Sequence, residues 1–287
     1  MYTGPNSLLP QEESQVSMTA TWYAGAKLWK HATIFIIPEV SGGAGLSDAF
    51  GVANATNGET FRVGSHDLKI YLARLFFRQL FALNKTNIYQ STDFNQLAGN
   101  IPANYIAITV GQIDIVDYFD HNSYAHDPRT QFMSWGLMNN GAWDYPANTR
   151  GYTPSFVLEY VRPKHELRYG ISLVPLMANG NDMDWKISKA SSHSLEYTQR
   201  YSLKNLPGAI RLLTYFTTTN MGNYTQSIAL HAIAPDIIAT RKYDNTKYGF
   251  GINAEKAISK EAGVFFFVQV GMMGIMKHGC SQKLTDR

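Results

Sequence analysis

The chain has a single cysteine, Cys280, in 287 residues. An internal disulfide framework and a multi-cysteine metal site are therefore excluded. Charge is also scarce: Asp, Glu, Lys and Arg make up 16% of the chain, against about 25% in an ordinary soluble domain. The net charge of +3 is small and dispersed, so no basic tail or stripe suited to nucleic acid is present. No apolar run reaches the roughly 18 residues of a membrane helix. The longest, Gly263 to Met276, is interrupted by Gln269. A signal peptide is not visible, because Tyr2 to Pro10 lacks both a charged start and an apolar core. Gly42-Gly43-Ala44-Gly45 has no following Lys-Ser/Thr, so it is a loop crest and not a phosphate loop. The Gly-x-Ser-x-Gly elbow of a serine hydrolase is missing. Helical periodicity is nearly missing too, with one weak candidate at Thr225–Ala234.

What remains is alternation. From Gln15 to Lys30 the even positions read Val16, Met18, Ala20, Trp22, Ala24, Ala26 and Leu28, and the odd ones are mostly polar. Strict period 2 over more than ten residues exceeds the usual globular strand of about 5–6 and fits a tilted membrane strand of about 9–11. The pattern recurs at Ala32–Val40, Leu68–Phe81, Asn104–Ile115, Ser155–Val161, Glu166–Pro175, Leu195–Ser202, Ala209–Thr217, Lys247–Ala254 and Ala262–Val270. In Leu68–Phe81, Arg74 and Arg78 share one face, with Tyr71, Ala73, Leu75 and Phe77 on the other. Connections alternate between short turns near His31, Pro163, Pro207 and Lys260 and long loops at Ser41–Asp67, Asp117–Pro154, Met177–His193 and Thr219–Thr246. Only Leu83–Pro102 is out of place, being long on the short-turn side. Short turns at one end and long loops at the other is the plan of an outer-membrane barrel. The expected fold class is all-β, an antiparallel transmembrane β-barrel. The alternative is a secreted all-β glycan-binding protein or glycosidase.

The Asp117–Pro154 segment is far longer than an ordinary connection, and loops beyond about 12–15 residues are usually functional or disordered. Two tryptophans and several Tyr and Phe rule out a disordered composition. Ring faces beside Asp, Asn, Arg and His suit sugars, whose C–H faces stack on aromatics while their hydroxyls take hydrogen bonds. His121 and His126 with Asp114, Asp117, Asp120 and Asp127 match no standard metal-ligand spacing. Asp114 and Glu159 as paired glycosidase carboxylates compete with the simpler reading that both line a polar interior.

These residues carry a family resemblance. Gly25-Ala26-Lys27-Leu28-Trp29, Asn57-Gly58-Glu59-Thr60-Phe61-Arg62-Val63, Tyr71-Leu72-Ala73-Arg74 and Gly111-Gln112-Ile113-Asp114 contribute to it. The most specific motif is His126-Asp127-Pro128-Arg129-Thr130-Gln131-Phe132, continuing through Asn139-Asn140-Gly141-Ala142-Trp143-Asp144-Tyr145-Pro146 to Tyr152. The chain resembles the carbohydrate-selective porins of the OprB type, from about Gly4 to Gly271. The resemblance implies a closed barrel in the outer membrane of a Gram-negative bacterium, passive diffusion of sugars, contact with membrane lipid, no cofactor, no metal and no covalent chemistry. Homo-oligomerisation is left open. An aqueous porin needs about 16–18 strands, and roughly ten are visible, so the chain reads as a partial member, lacking its signal peptide, first strand and several C-terminal strands. Within that frame Arg74, Arg78, Asp114, Glu159, Arg168 and Arg200 are expected to line the lumen. Asp127, Arg129, Trp143, Asp144 and Arg150 are expected in the loop that narrows it.

Residues 1–271 form the expected porin segment, and 272–287 break the pattern. Methionine has one codon, which constrains back-translation here. Read from one base earlier, Met272-Met273-Gly274 gives Asp-Gly, and Met276-Lys277 gives Glu. The neighbouring codons permit Trp-Asn before and Thr-Trp after, and those of Cys280 to Arg287 permit a hydrophobic residue followed by Phe-Thr-Glu-Ile-Asp-Arg, as the family continues. The tail, Cys280 included, is expected to be frame-shifted coding sequence without selected structure.

Overall fold

The structure, a computed structural model, describes residues 11–44, 66–132, 135–140, 143–178 and 180–272. The alternating segments form an antiparallel sheet of 11 strands. They are β1 (Ser17–Thr21), β2 (Ala24–Trp29), β3 (Ala32–Gly43), β4 (Lys69–Ala82), β7 (Tyr105–Ile113), β8 (Thr153–Val161), β9 (His165–Ser172), β10 (Ser191–Leu203), β11 (Leu206–Met221), β12 (Lys242–Ala257) and β13 (Gly263–Met272). A separate two-stranded ribbon, β5 (Asn87–Gln90) and β6 (Gly99–Pro102), lies between β4 and β7. Each strand of the large sheet pairs with its neighbour in sequence, and β1 and β2 both run along β3. This meander has only local crossings, as tight turns such as Lys204-Asn205 demand. Both of those residues hold positive φ, at 55° and 59°, which two-residue hairpin turns require. Among the described residues no pairing joins β13 back to β1 or β2, so the barrel is open there.

The two faces differ sharply in chemistry. Phe156, Leu158, Tyr160, Leu167, Leu195, Tyr197, Ile210, Leu212, Phe216, Phe250, Ile252 and Phe266 all stand exposed on one face. The other face holds buried Ser155, Glu159, Glu166, Ser172, Ser194, Glu196, Thr198, Arg211, Asn253 and Glu255. A soluble sheet buries its apolar face; a strand that alternates apolar-out and polar-in belongs to a barrel whose solvent is lipid. The polar face surrounds the 114–152 loop: residues of that loop bond to Glu39 on β3, Arg74 on β4, Glu196 on β10 and Glu255 on β12. The sheet therefore curls around the loop, and this concave face is the lumenal one. An apolar cluster under the loop, including Phe35, Ile37, Phe76, Ile113, Ile115, Phe119 and Trp143, packs the loop against β3, β4 and β7. No helix among the described residues is long and apolar enough to cross a membrane; that leaves crossing by strands untouched. The weak helical signal corresponds to a short helix, Tyr224–Leu230, started by Asn223, whose side chain accepts from the Gln226 amide.

Two expectations need correction. The Gln15–Lys30 segment is not one strand. It is interrupted at Trp22-Tyr23, opposite Pro38, which has no N–H to give to a ladder. The pairing of β3 with β4 slips by one residue beside that proline, between Ile37 and Pro38. The slip inserts an extra residue at Ala73 and reverses the parity beyond it. Tyr71 therefore shares the lumenal face with Arg74 instead of opposing it, and its hydroxyl donates to Glu39. The misplaced Leu83–Pro102 connection contains the β5–β6 ribbon. Met272, the first residue of the proposed tail, ends β13; the rest of the tail lies outside the described residues, as do Gly45 and the Asn57–Val63 motif.

Candidate functional site

Strand register alone assembles a ladder of alternating charge. Glu159 on β8 is the direct cross-strand partner of Arg168 on β9, and Arg168 is the partner of Glu196 on β10. Glu159 is 2% exposed, yet it is held from two sides. Arg78 on β4 bonds one oxygen and also reaches the Thr109 hydroxyl at 3.0 Å. The Arg168 Nε donates to the other oxygen at 3.2 Å. Arg168 further binds Glu166, donates to the Tyr118 carbonyl at 2.9 Å and lies 3.9 Å from Glu196. Arg200 joins through Glu166, and Arg211 meets Glu255 at 3.1 Å. Burying charge costs several kcal/mol per ion unless it is paired and fully hydrogen-bonded. The ladder offsets that cost by giving each carboxylate a guanidinium or a loop amide; the Arg211 Nη1 alone among the ladder's guanidinium nitrogens is buried without a hydrogen-bond partner.

The 114–152 loop supplies those amides. After β7 the Asp114 carboxylate caps a short 3-10 turn at Ile115–Asp117. The chain then crosses the lumen. The Asp120 amide donates to Glu196 at 2.7 Å, the Ser123 amide and hydroxyl donate to Glu255, and Asn122 donates to Asn253 at 2.8 Å. Asp120 sits at φ 58° and accepts from both Asn253 and the Asn140 amide. Burial pushes its carboxyl above the usual range, and those two donors oppose the rise. His121 and His126 stack with ring centres 4.1 Å apart, and burial lowers the His126 pKa.

A second cluster lies on the β3–β4 side. Arg74 grips Asp117 with two bonds of 2.7 and 2.9 Å and reaches Asp114 at 3.7 Å. Burial, and next the neighbouring Asp117, raise the Asp114 pKa to about 7, against the opposing pull of Arg74. Glu39 collects hydroxyls from Thr21 (2.5 Å), Tyr71 and Tyr152, with Arg129 at 3.8 Å.

The structure thus brings Arg78, Glu159, Arg168 and Arg200 into one ladder, and Arg74 with Asp114 into a second group. The loop residues are scattered. Asp127 folds on its own turn, accepting from the Arg129 amide and the Thr130 hydroxyl. Asp144 pairs with Lys247 on β12. The Arg150 guanidinium lies 3.7 Å from the centre of the Tyr71 ring and 3.3 Å from Ser41. Trp143 is only 3% exposed, its ring against Phe119 and Tyr145. Glu39, Glu166, Arg211 and Glu255 belong to the charged surface without standing out in the sequence. Each shares the parity of lumenal neighbours, and parity was the signal that could have found them.

The sequence profile of the carbohydrate-selective porin, OprB family, matches residues 6–281. Among solved structures the chain is similar to the high-pH structure of Pseudomonas putida OprB, with a TM-score of 0.62 at 14% identity. That match covers 92% of this chain and 62% of the other, so the chain spans about six-tenths of that relative's length. No curated protein matches it.

Proposed function

The chain belongs to the carbohydrate-selective porin family, OprB family, and from that premise we propose that it forms the wall and constriction of an outer-membrane pore for passive diffusion of sugars and other small solutes. The observation that carries the reading is the inverted distribution of polarity: apolar side chains outside, paired charges inside. The rival reading, a soluble glycan-binding protein or glycosidase, has no use for an outer face of exposed Leu, Ile and Phe on consecutive strands. Bound lipid covers that face in this reading.

Passage needs no covalent step. Guanidiniums and carboxylates paired side by side along the lumenal wall create a local field and a row of donors and acceptors that replace a sugar's water shell. Arg74, Arg78, Asp114, Glu159, Arg168 and Arg200 are the lumen-lining groups in this scheme. Arg129, Asp127, Asp144 and Arg150 hold or line the loop, and Trp143 sets its position by packing. Binding stays weak, because a solute held tightly does not leave. The test is reconstitution in a planar bilayer: stable conductance steps that sugar partly blocks are expected. A well-folded preparation that gives none ends the porin reading.

A further inference from the structure

The β5–β6 ribbon leaves the sheet on the short-turn side, which in outer-membrane barrels faces the periplasm. It does not hang below the barrel; it folds back onto the lumenal face. Leu97 packs against the apolar cluster that contains Phe35, Ile37 and Phe76. Lys27 on β2 donates to the Ala98 carbonyl at 3.0 Å. Gly25 on β2 is the point of closest approach: a Cβ there would lie 2.6 Å from the Phe35 ring and 3.2 Å from Leu97. The tip is a tight turn with Asn95 at φ 57°, closed by the Gln96 amide donating to the Asp93 carbonyl at 3.1 Å. Phe94 stacks on Tyr23 with ring centres 4.9 Å apart. Asn95 donates to Asp117 at 3.1 Å, the carboxylate that Arg74 also grips. An element from the short-turn end thus touches the loop that enters from the opposite end.

Resting on the porin reading above, we propose that this ribbon is a second constriction element, which sets the size limit of the pore from the periplasmic side and offers sugars a contact of its own. The contact is Tyr89 with Asn100. They are direct cross-strand partners in the ribbon, and Tyr89 is 72% exposed, whereas Leu97 is partly buried against the apolar cluster. A phenol ring beside an amide is the pairing a hexose takes: the ring covers the C–H face and the amide serves the hydroxyls. The connection is long on the side where turns should be short because it performs a lumenal task.

Four measurements test this. In a Cys280→Ser background, Tyr23→Cys with Phe94→Cys should form an internal disulfide on oxidation, seen as a gel shift whether or not the protein conducts; failure to cross-link overturns the docked ribbon. In the same background Tyr89→Cys should let a lumen-permeant thiosulfonate reagent cut single-channel current by about half, and an unchanged current overturns the proposal. Replacing residues 87–102 by Gly-Gly should about double the conductance and admit larger oligosaccharides; the parent's conductance and size limit, retained, also overturn it. Should the shortened chain not assemble, Tyr89→Ala decides. It should weaken sugar block about 2- to 10-fold, and unaltered block overturns the sugar contact. A parent that does not conduct at all overturns the porin reading, and with it this proposal, even where the disulfide forms.

Discussion

Glu159→Gln is the most informative single change, because Glu159 is where the charge ladder has least slack. Its carboxylate is shared by Arg78 and Arg168, whose side chains are 19% and 16% exposed. At 3.2 Å and an effective dielectric of about 20, each such pair is worth roughly 5 kcal/mol of Coulomb energy before desolvation. The two arginines do not lose equally. Arg168 keeps Glu166, Glu196 and the Tyr118 carbonyl. Arg78 is left with the Thr109 hydroxyl and the Tyr118 ring 5.8 Å away. The loss is therefore that of one half-buried, unpaired guanidinium, about 3–5 kcal/mol when a buried pair loses one partner. Unfolding in lipid vesicles by guanidinium, followed by tryptophan fluorescence, reads the stability; the reversal potential in a KCl gradient should move toward anions. The double variant Glu159→Gln with Arg78→Gln should recover part of the loss, with a coupling energy of about 0.5–3 kcal/mol. A single variant within about 0.5 kcal/mol of the parent, with an unchanged reversal potential, refutes the view that this ladder is a cohesive and field-setting element.

Three further outcomes are expected. Asp114 holds a pKa near 7, so it is charged above that pH and neutral below it; cation preference should fall as pH drops from 8 to 6, and Asp114→Asn should flatten the profile. The same raised pKa means the ionised form opposes folding, so the Asn variant should gain more stability at pH 8 than at pH 5, and parallel pH curves for the two proteins count against the assignment. Ile108 stands on the lipid side between Thr109 and Ala107, which are both fully buried; Ile108→Arg should cost about 2–4 kcal/mol near the bilayer midplane, measured by the same unfolding assay, whereas Thr19→Arg on the opposite face should cost much less. For residues 272–287, we propose the frame-shifted origin described above; sequencing the gene across the Val270 codon checks it, and a single intact frame with no family-like sequence in the alternative frame excludes it.

Period-2 alternation made the strands and their faces legible, since one buried face permits only one parity. Ile106, Ile108 and Val110 share the outer face as their spacing implies. Parity fails where a residue is inserted, and nothing in the string Tyr71-Leu72-Ala73-Arg74 announces an insertion. The cause lies 35 residues back at Pro38, on the partner strand. The loop's aromatics were legible as an ordered cluster but not as to use. Trp143 looks like a sugar platform by composition, while its position under Phe119 and Tyr145 makes it part of the packing. Composition cannot tell a ring that faces solute from one that faces another ring, because both need the same residue.

The charged residues divide the same way. Seen along the sequence, lumenal Arg and Glu all look like surface presented to a solute. In the fold, Glu196 and Glu255 are occupied by amides of the 114–152 loop, and Asn253 by the side chain of Asn122. Asp117 is claimed by Arg74 and by the β5–β6 tip. These carboxylates tether lumenal elements; they do not meet a solute directly. A loop that must lie inside a water-filled barrel cannot be held by apolar burial alone, since one of its sides stays wet. Charge-assisted bonds, roughly twice as strong as neutral ones, anchor it at Arg74 on β4, Glu196 on β10 and Glu255 on β12, while the Arg78–Glu159–Arg168 row on β4, β8 and β9 pairs within the wall and takes no loop carboxylate. In the porin reading proposed above, wall charge thus does two jobs, and strand register decides which residue does which: those that meet the loop hold it, and those that pair within the wall set the field.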